Sequence, residues 1–187
     1  EHSQDGEYGG YFSCLDREGK VFDTDKFIWL QGREVWMFSM LYNKVEKRQE
    51  WLDCAVQGGE FLKKYGHDGN YNWYFSLDRS GRPLVEPYNI FSYTFATMAF
   101  GQLSLATGNQ EYADIAKKTF EIILSKVDNP KGKWNKLHPG TRNLKNFALP
   151  MILCNLALEI EHLLDPGYLE QTMETCIYDV SWARRCV

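Results

Sequence analysis

No Cys-x-x-Cys pair, no GK[ST] after a glycine-rich loop and no long uninterrupted apolar run occurs in this chain. The longest apolar candidate, Phe147 to Leu158, is broken by Pro150 and Asn155. It falls well short of the roughly 20 residues that a membrane span needs. Five cysteines, Cys14, Cys54, Cys154, Cys176 and Cys186, are odd in number and dispersed. They fit buried thiols in a reducing compartment better than a disulfide framework or a zinc site. Histidine is scarce at 4 residues, and no His/Asp/Glu spacing suits a metal, so none is expected. Net charge is only −4, with Lys and Arg scattered rather than striped. Nucleic-acid binding therefore has little electrostatic support. No charged-then-apolar leader opens the sequence, and a soluble, cytoplasmic protein without membrane or nucleic-acid partners is expected.

What is present is apolar, aromatic and repetitive. Hydrophobic residues make up 44% of the 187 residues and aromatics 15%, enough for a sizeable core. Tyr11-Phe12-Ser13-Cys14-Leu15-Asp16-Arg17-Glu18-Gly19 returns as Tyr74-Phe75-Ser76-Leu77-Asp78-Arg79-Ser80-Gly81, offset by 62 to 63 residues. A degraded echo follows at Gly132-Lys133-Trp134-Asn135-Lys136. A period of this size marks one supersecondary unit used repeatedly, each too small to bury its apolar face alone.

Each unit reads as a hairpin-like loop, a nearly all-apolar helix and an amphipathic helix. The spacing predicts inner helices over about Lys26–Asn43, Ser92–Thr107 and Phe147–Leu164. Amphipathic partners follow over about Arg48–Lys64, Glu111–Lys126 and Gly167–Asp179. Gly108 is a helix stop, and Pro150 is tolerable in a first turn. The clearest hairpin runs Tyr71–Leu77, turns at Asp78-Arg79-Ser80-Gly81 and returns over Arg82–Val85. The expected fold is all-α: three helix hairpins, half of an α/α toroid, with short β-hairpin loops at the cleft end. A closed ring of six such pairs needs about twice this length.

Lys26-Phe27-Ile28-Trp29-Leu30-Gln31-Gly32-Arg33-Glu34-Val35-Trp36-Met37 closely resembles a signature of the N-acylglucosamine 2-epimerase family. His2-Ser3-x-Asp5, Gly9-Gly10-Tyr11-Phe12, Asp68-Gly69, Tyr74-Phe75-x-Leu77-Asp78 and Asn146-Phe147-Ala148-Leu149-Pro150-Met151 agree in order. The resemblance covers residues 1–180 as a single partial barrel domain and implies an (α/α)6 barrel. It implies interconversion of N-acylglucosamine and N-acylmannosamine, or epimerisation of related sugars at C2, with no required cofactor. The chemistry implied is ring opening, then removal and return of the C2 proton through an enediolate. Two histidines serve the two faces, since imidazole exchanges protons near neutral pH. A guanidinium steadies the negative charge that develops on oxygen.

Carried onto this chain, Arg33 matches the motif's substrate-facing arginine; its alternative is a structural ion pair with Glu34 or another carboxylate. Trp29, Trp36, Tyr11, Trp73 and Tyr74 are candidates to stack on sugar, with core packing as the alternative for each. Lys145 and Asn146 open the third inner helix and are candidate substrate contacts, or simply a solvated lysine and a helix cap. Asn146 is followed four residues on by Pro150 where the disaccharide-epimerase branch carries histidine, which favours the N-acylglucosamine branch over cellobiose-type epimerases and aldose–ketose isomerases. Gly132, Lys133 and Lys136 resemble a loop that holds a stimulating nucleotide such as ATP in some members, although the loop is no P-loop.

None of His2, His67, His138 and His162 matches the family's two catalytic positions, so no catalytic residue is assigned. His2, near the cleft, is a candidate binding group. Asp16 and Asp78 raise a glycoside-hydrolase reading, but their equivalent turn positions are better explained by turn chemistry. Residues 181–187 do not continue the family pattern and read as an atypical tail, which fits a fragment or frameshift. Two other readings follow: a non-catalytic carbohydrate-binding module, and a homo-oligomer pairing exposed half-barrel edges.

Overall fold

The computed structural model describes residues 2–87, 89–129, 138 and 148–183. Two near-identical turns organise it. In the first hairpin, β1 (Cys14–Leu15) pairs antiparallel with β2 (Val21–Asp23). In the second, β4 (Ser76–Leu77) pairs with β5 (Pro83–Val85). Asp16 Oδ1 accepts from the amides of Glu18 and Lys20, and Asp78 Oδ1 accepts from those of Ser80 and Arg82. Gly19 (φ 81°) and Gly81 (φ 96°) complete the turns in the left-handed region, where a side chain is strained. The doubled phrase is thus a doubled turn, as its Asp and Gly spacing implied.

The second hairpin is larger than the sequence suggested. Lys26–Phe27, read above as helix, forms β3 and adds to β4 with Lys26 opposite Leu77 and Phe27 opposite Ser76. The helix therefore begins at Ile28, whose amide donates to Phe75 O at 3.0 Å.

Three helix pairs follow among the described residues: α1 (Ile28–Lys44) with α2 (Gln49–Tyr65), α3 (Phe91–Thr107) with α4 (Gln110–Ser125), and α5 (Ala148–Glu159) with α6 (Pro166–Ala183). The inner–outer alternation holds, with α3 at the centre, packed on α1, α4 and α5. It carries no charged residue, and every residue from 92 to 104 except Phe95 is buried. α1 turns Ile28, Gly32, Val35 and Ser39 towards it. Gly32 is required there, because a Cβ would meet the Phe95 backbone at 2.9 Å.

Gly108 ends α3 in the left-handed conformation (φ 71°), and Asn109 caps α4 by accepting from Glu111 N at 2.9 Å. The third inner helix stops sooner than periodicity suggests. Glu159 O accepts from Gln102 Nε2, and Leu163 N turns back to Ile160 O in a short 3-10 turn over Glu161–Leu163. Asp165 caps α6 through the amides of Gly167 and Tyr168, ahead of a proline in the first turn. α6 itself runs through Ala183, so the first three residues of the expected tail are helical. No helix among the described residues is long and apolar enough to cross a membrane.

A charge cluster, fully buried at Asp5 and Lys26, joins the N-terminal loop to the three-stranded second hairpin. Lys26 Nζ donates to Asp5 Oδ2 (2.9 Å), Gly9 O (2.6 Å) and Arg79 O (2.9 Å), using all three protons. Arg79 grips the same carboxylate from outside, at 2.9 and 3.0 Å. Burial alone would raise the Asp5 carboxyl; Arg79, Lys26 and the amides of Glu7 and Tyr8 outweigh it and hold it well below the usual carboxylate range. Burial in turn lowers the Lys26 ammonium, against the pull of Asp5. Asp5→Asn, which leaves two cations facing a neutral amide, is expected to cost about 3–5 kcal/mol in urea unfolding. A loss below about 1 kcal/mol would show that the cluster does not hold the fold.

Candidate functional site on the inner face

Trp29, Arg33, Trp36 and Asn43 fall on one stripe of α1, spaced by four, three and seven residues. Contacts run from this stripe to α3 and α5, which makes it the inner face of the helix stack. At the hairpin end, the Arg33 guanidinium lies 5.4 Å from the Phe95 ring centroid and 5.8 Å from that of Trp29, whose rings stand 6.1 Å apart. Further along, Trp36 Nε1 donates to Glu159 Oε2 at 2.9 Å, and Gln102 Nε2 donates to the same oxygen at 3.0 Å. Asn43 Nδ2 closes the far end on Gln102 O and Oε1.

Arg33 is exposed and meets no carboxylate at ion-pair distance among the described residues, so the ion pair with Glu34 is not formed. Glu34 is half-buried, and burial pushes its carboxyl up. A guanidinium flanked by two aromatic rings and without a carboxylate among the described residues leaves its N–H fork to an oxygen ligand, while the rings offer faces for sugar C–H groups. Trp29 and Arg33 are therefore brought together. Trp36 lies on the same stripe but its N–H is taken by Glu159.

Two aromatic candidates are corrected. Tyr11 is 1% exposed, its hydroxyl donating to Cys54 O at 2.6 Å and its backbone bonded in both directions to the Gln31 amide. Trp73 is fully buried, with Nε1 on Thr119 Oγ1. Neither ring can reach a ligand; Tyr11 pins the N-terminal loop to α1 and α2, and Trp73 is core. Tyr74 is half-buried and packs against that core. Lys145, Asn146, Gly132, Lys133 and Lys136, with the third echo of the repeat, lie outside the described residues.

No histidine touches Arg33 or its rings. His67 is packed between Tyr71 and Trp73, with ring centroids 4.9 and 4.8 Å away, and burial lowers its pKa. His162 meets Ser104 Oγ at 3.2 Å beyond the end of α5, and burial lowers it too. The His2 ring lies against Gly19 of the first turn. His138 is exposed.

Sequence reasoning missed Phe95, Gln102 and Glu159. Phe95 carries no signal in a helix where every residue is uncharged. Gln102 in that helix and Glu159, the first charge of the third inner helix, are the polar exceptions that mark an inner face. Glu159→Ala removes one acceptor shared by the half-buried Trp36 and the buried Gln102 and is expected to destabilise by about 1–3 kcal/mol, with a shift in Trp36 fluorescence. Unchanged stability and emission would contradict the bracing role.

Comparison with known proteins agrees with this geometry. The sequence profile of the N-acylglucosamine 2-epimerase (GlcNAc 2-epimerase) family matches residues 10–183. N-acylglucosamine 2-epimerase of Bos taurus is 40% identical over 165 residues, covering 86% of this chain and 39% of that protein. Cellobiose 2-epimerase of Dictyoglomus turgidum is 28% identical, over 72% of this chain and 37% of its own length. Among solved structures, cellobiose 2-epimerase from Bacillus thermoamylovorans B4167 superposes with a TM-score of 0.77 at 21% identity. That superposition covers 93% of this chain and 49% of the neighbour, and it establishes the shared (α/α)6-barrel fold. The chain spans about two fifths of the length of the curated relatives it matches. With its profile match running across most of its length, the chain belongs to the N-acylglucosamine 2-epimerase family.

Proposed function

We propose that the inner face at Arg33 binds an N-acylhexosamine, the N-acetylglucosamine/N-acetylmannosamine pair, in the setting of epimerisation at C2. The observation that carries this is the Arg33 guanidinium, with no carboxylate at ion-pair distance among the described residues, set against Trp29 and Phe95. The higher identity to N-acylglucosamine 2-epimerase than to the cellobiose enzyme supports the N-acyl substrate class.

The chemistry fits the residue. Once the ring opens, the C2 proton lies next to a carbonyl, and its removal places negative charge on oxygen. A fixed guanidinium stabilises that enediolate more than the neutral ground state, which is how electrostatic preorganisation speeds a reaction. Proton removal from one face and return to the other needs two groups on opposite sides of the sugar. Arg33 has no histidine beside it, so in this proposal the chain by itself holds sugar and does not turn it over.

Isothermal titration of the 187-residue protein with N-acetylmannosamine should show binding that Arg33→Ala weakens about 10–100-fold, the worth of a charged hydrogen bond, at unchanged helicity. Equal binding by the variant, or none by either protein, would overturn the site. Turnover in a coupled assay by the purified chain would overturn the division between binding and proton transfer.

A further inference from the structure

Besides Arg33, the inner face carries a further donor that is poorly matched among the described residues. Trp36 Nε1 and Gln102 Nε2 are committed to Glu159, and Asn43 Nδ2 to Gln102. Asn155 differs. Between Ala148 and Leu158, α5 is apolar apart from Cys154 and this amide. Its Nδ2 lies 3.7 Å from the Met98 sulfur, and a thioether is a weak acceptor. Asn155 is exposed, whereas Met98 is buried on the α3 stripe between Phe95 and Gln102.

The register of the helices sets this amide level with Arg33. α1 and α3 run the same way, with Gly32 against Phe95 and Asn43 against Gln102. α3 and α5 do too, with Met98 against Asn155 and Gln102 against Glu159. The Trp36–Glu159 hydrogen bond ties α1 to α5 at a single level. Counting back from it towards the hairpins, Arg33 is three residues away on α1 and Asn155 four on α5. Along a helix those steps rise about 4.5 and 6 Å. Arg33 and Asn155 thus border the same stretch of the inner face from either side of α3.

We propose that Asn155 is a specificity-determining residue of this site, its Nδ2 donating to the carbonyl oxygen of the sugar's N-acyl group. The inference rests on sugar binding at Arg33. In an N-acylhexosamine the acylamino group is attached to C2, the carbon next to the carbonyl that forms on ring opening. A sugar whose C1 oxygen meets the guanidinium therefore carries its acyl group within a few bonds of Arg33. An acyl oxygen is a far better acceptor than sulfur, so exchanging Met98 for it gains a hydrogen bond. A hexose with a 2-hydroxyl stops short of that position and gains nothing. A site that reads a group by hydrogen bonding discriminates against the analogue lacking it.

Isothermal titration of the 187-residue protein with N-acetylmannosamine and with mannose tests this. The wild type should bind N-acetylmannosamine about 5–10-fold more tightly than mannose. Asn155→Ala and Asn155→Asp, both checked for helicity by circular dichroism, should each lose that margin with mannose affinity unchanged, because neither side chain can donate. No margin in the wild type, a margin kept by either variant, or equal weakening of both sugars would overturn the role of Asn155. Those results leave sugar binding at Arg33 to be decided by Arg33→Ala. Binding of neither sugar by the wild type would overturn both readings.

Discussion

Lys26 and Arg79 converge on the carboxylate of Asp5, and the placement of the second hairpin and the N-terminal loop against the inner helices depends on that meeting. Lys26 belongs to β3, Arg79 to the second turn and Asp5 to the N-terminal loop, so three segments 21 and 74 residues apart are fastened at one point. Charges removed from water are tolerated only when every proton and lone pair finds a partner. Here Lys26 uses three acceptors, and its ammonium also lies 4.5 Å from the Phe61 ring centroid of α2. Because β3 runs directly into α1, fixing Lys26 also sets where α1 starts, and with it the position of Trp29 and Arg33.

This gives the repeat a physical meaning. The hairpin turns are held by their own Asp and Gly residues, but a two-residue strand pair is marginal alone. The second hairpin gains β3 as a third strand and the clamp on Asp5; the first has only its turn and its pairing. The inner face then divides along its length. Near the hairpins, Arg33, Trp29 and Phe95 present a cation and two rings with no carboxylate at ion-pair distance among the described residues. Deeper, Trp36, Gln102 and Glu159 are hydrogen-bonded to one another and Asn43 Nδ2 to Gln102, bracing α1, α3 and α5. The open end is suited to a ligand and the hydrogen-bonded end to rigidity.

Much of the fold was legible in the residues because its signals are local. Asp and Gly at fixed spacing define a turn, and uncharged runs alternating with amphipathic ones define inner and outer helices, with most observed helix ends within a residue or two of those read. The failures share a cause, which is that a distant partner decides the outcome. Lys26 reads as the start of a helix because it adjoins the apolar run; Leu77 and Asp5 make it a buried strand residue. Tyr11 and Arg33 occupy loops and helices of similar sequence character. Only the fold shows that Cys54 and Gln31 close around the tyrosine while the arginine stays open. Phe95 was invisible for the same reason: composition does not distinguish one half-exposed ring from twelve buried neighbours on its helix.

The central claim is that the clamp and the helix stack together hold a sugar-binding mouth at Arg33, Trp29 and Phe95. A crystal structure of the chain soaked in N-acetylmannosamine tests it most directly. The expected result is a sugar oxygen within hydrogen-bond distance of the Arg33 guanidinium and a C–H face against Trp29 or Phe95. Sugar bound elsewhere, or an ordered mouth left empty at saturating sugar, would contradict it.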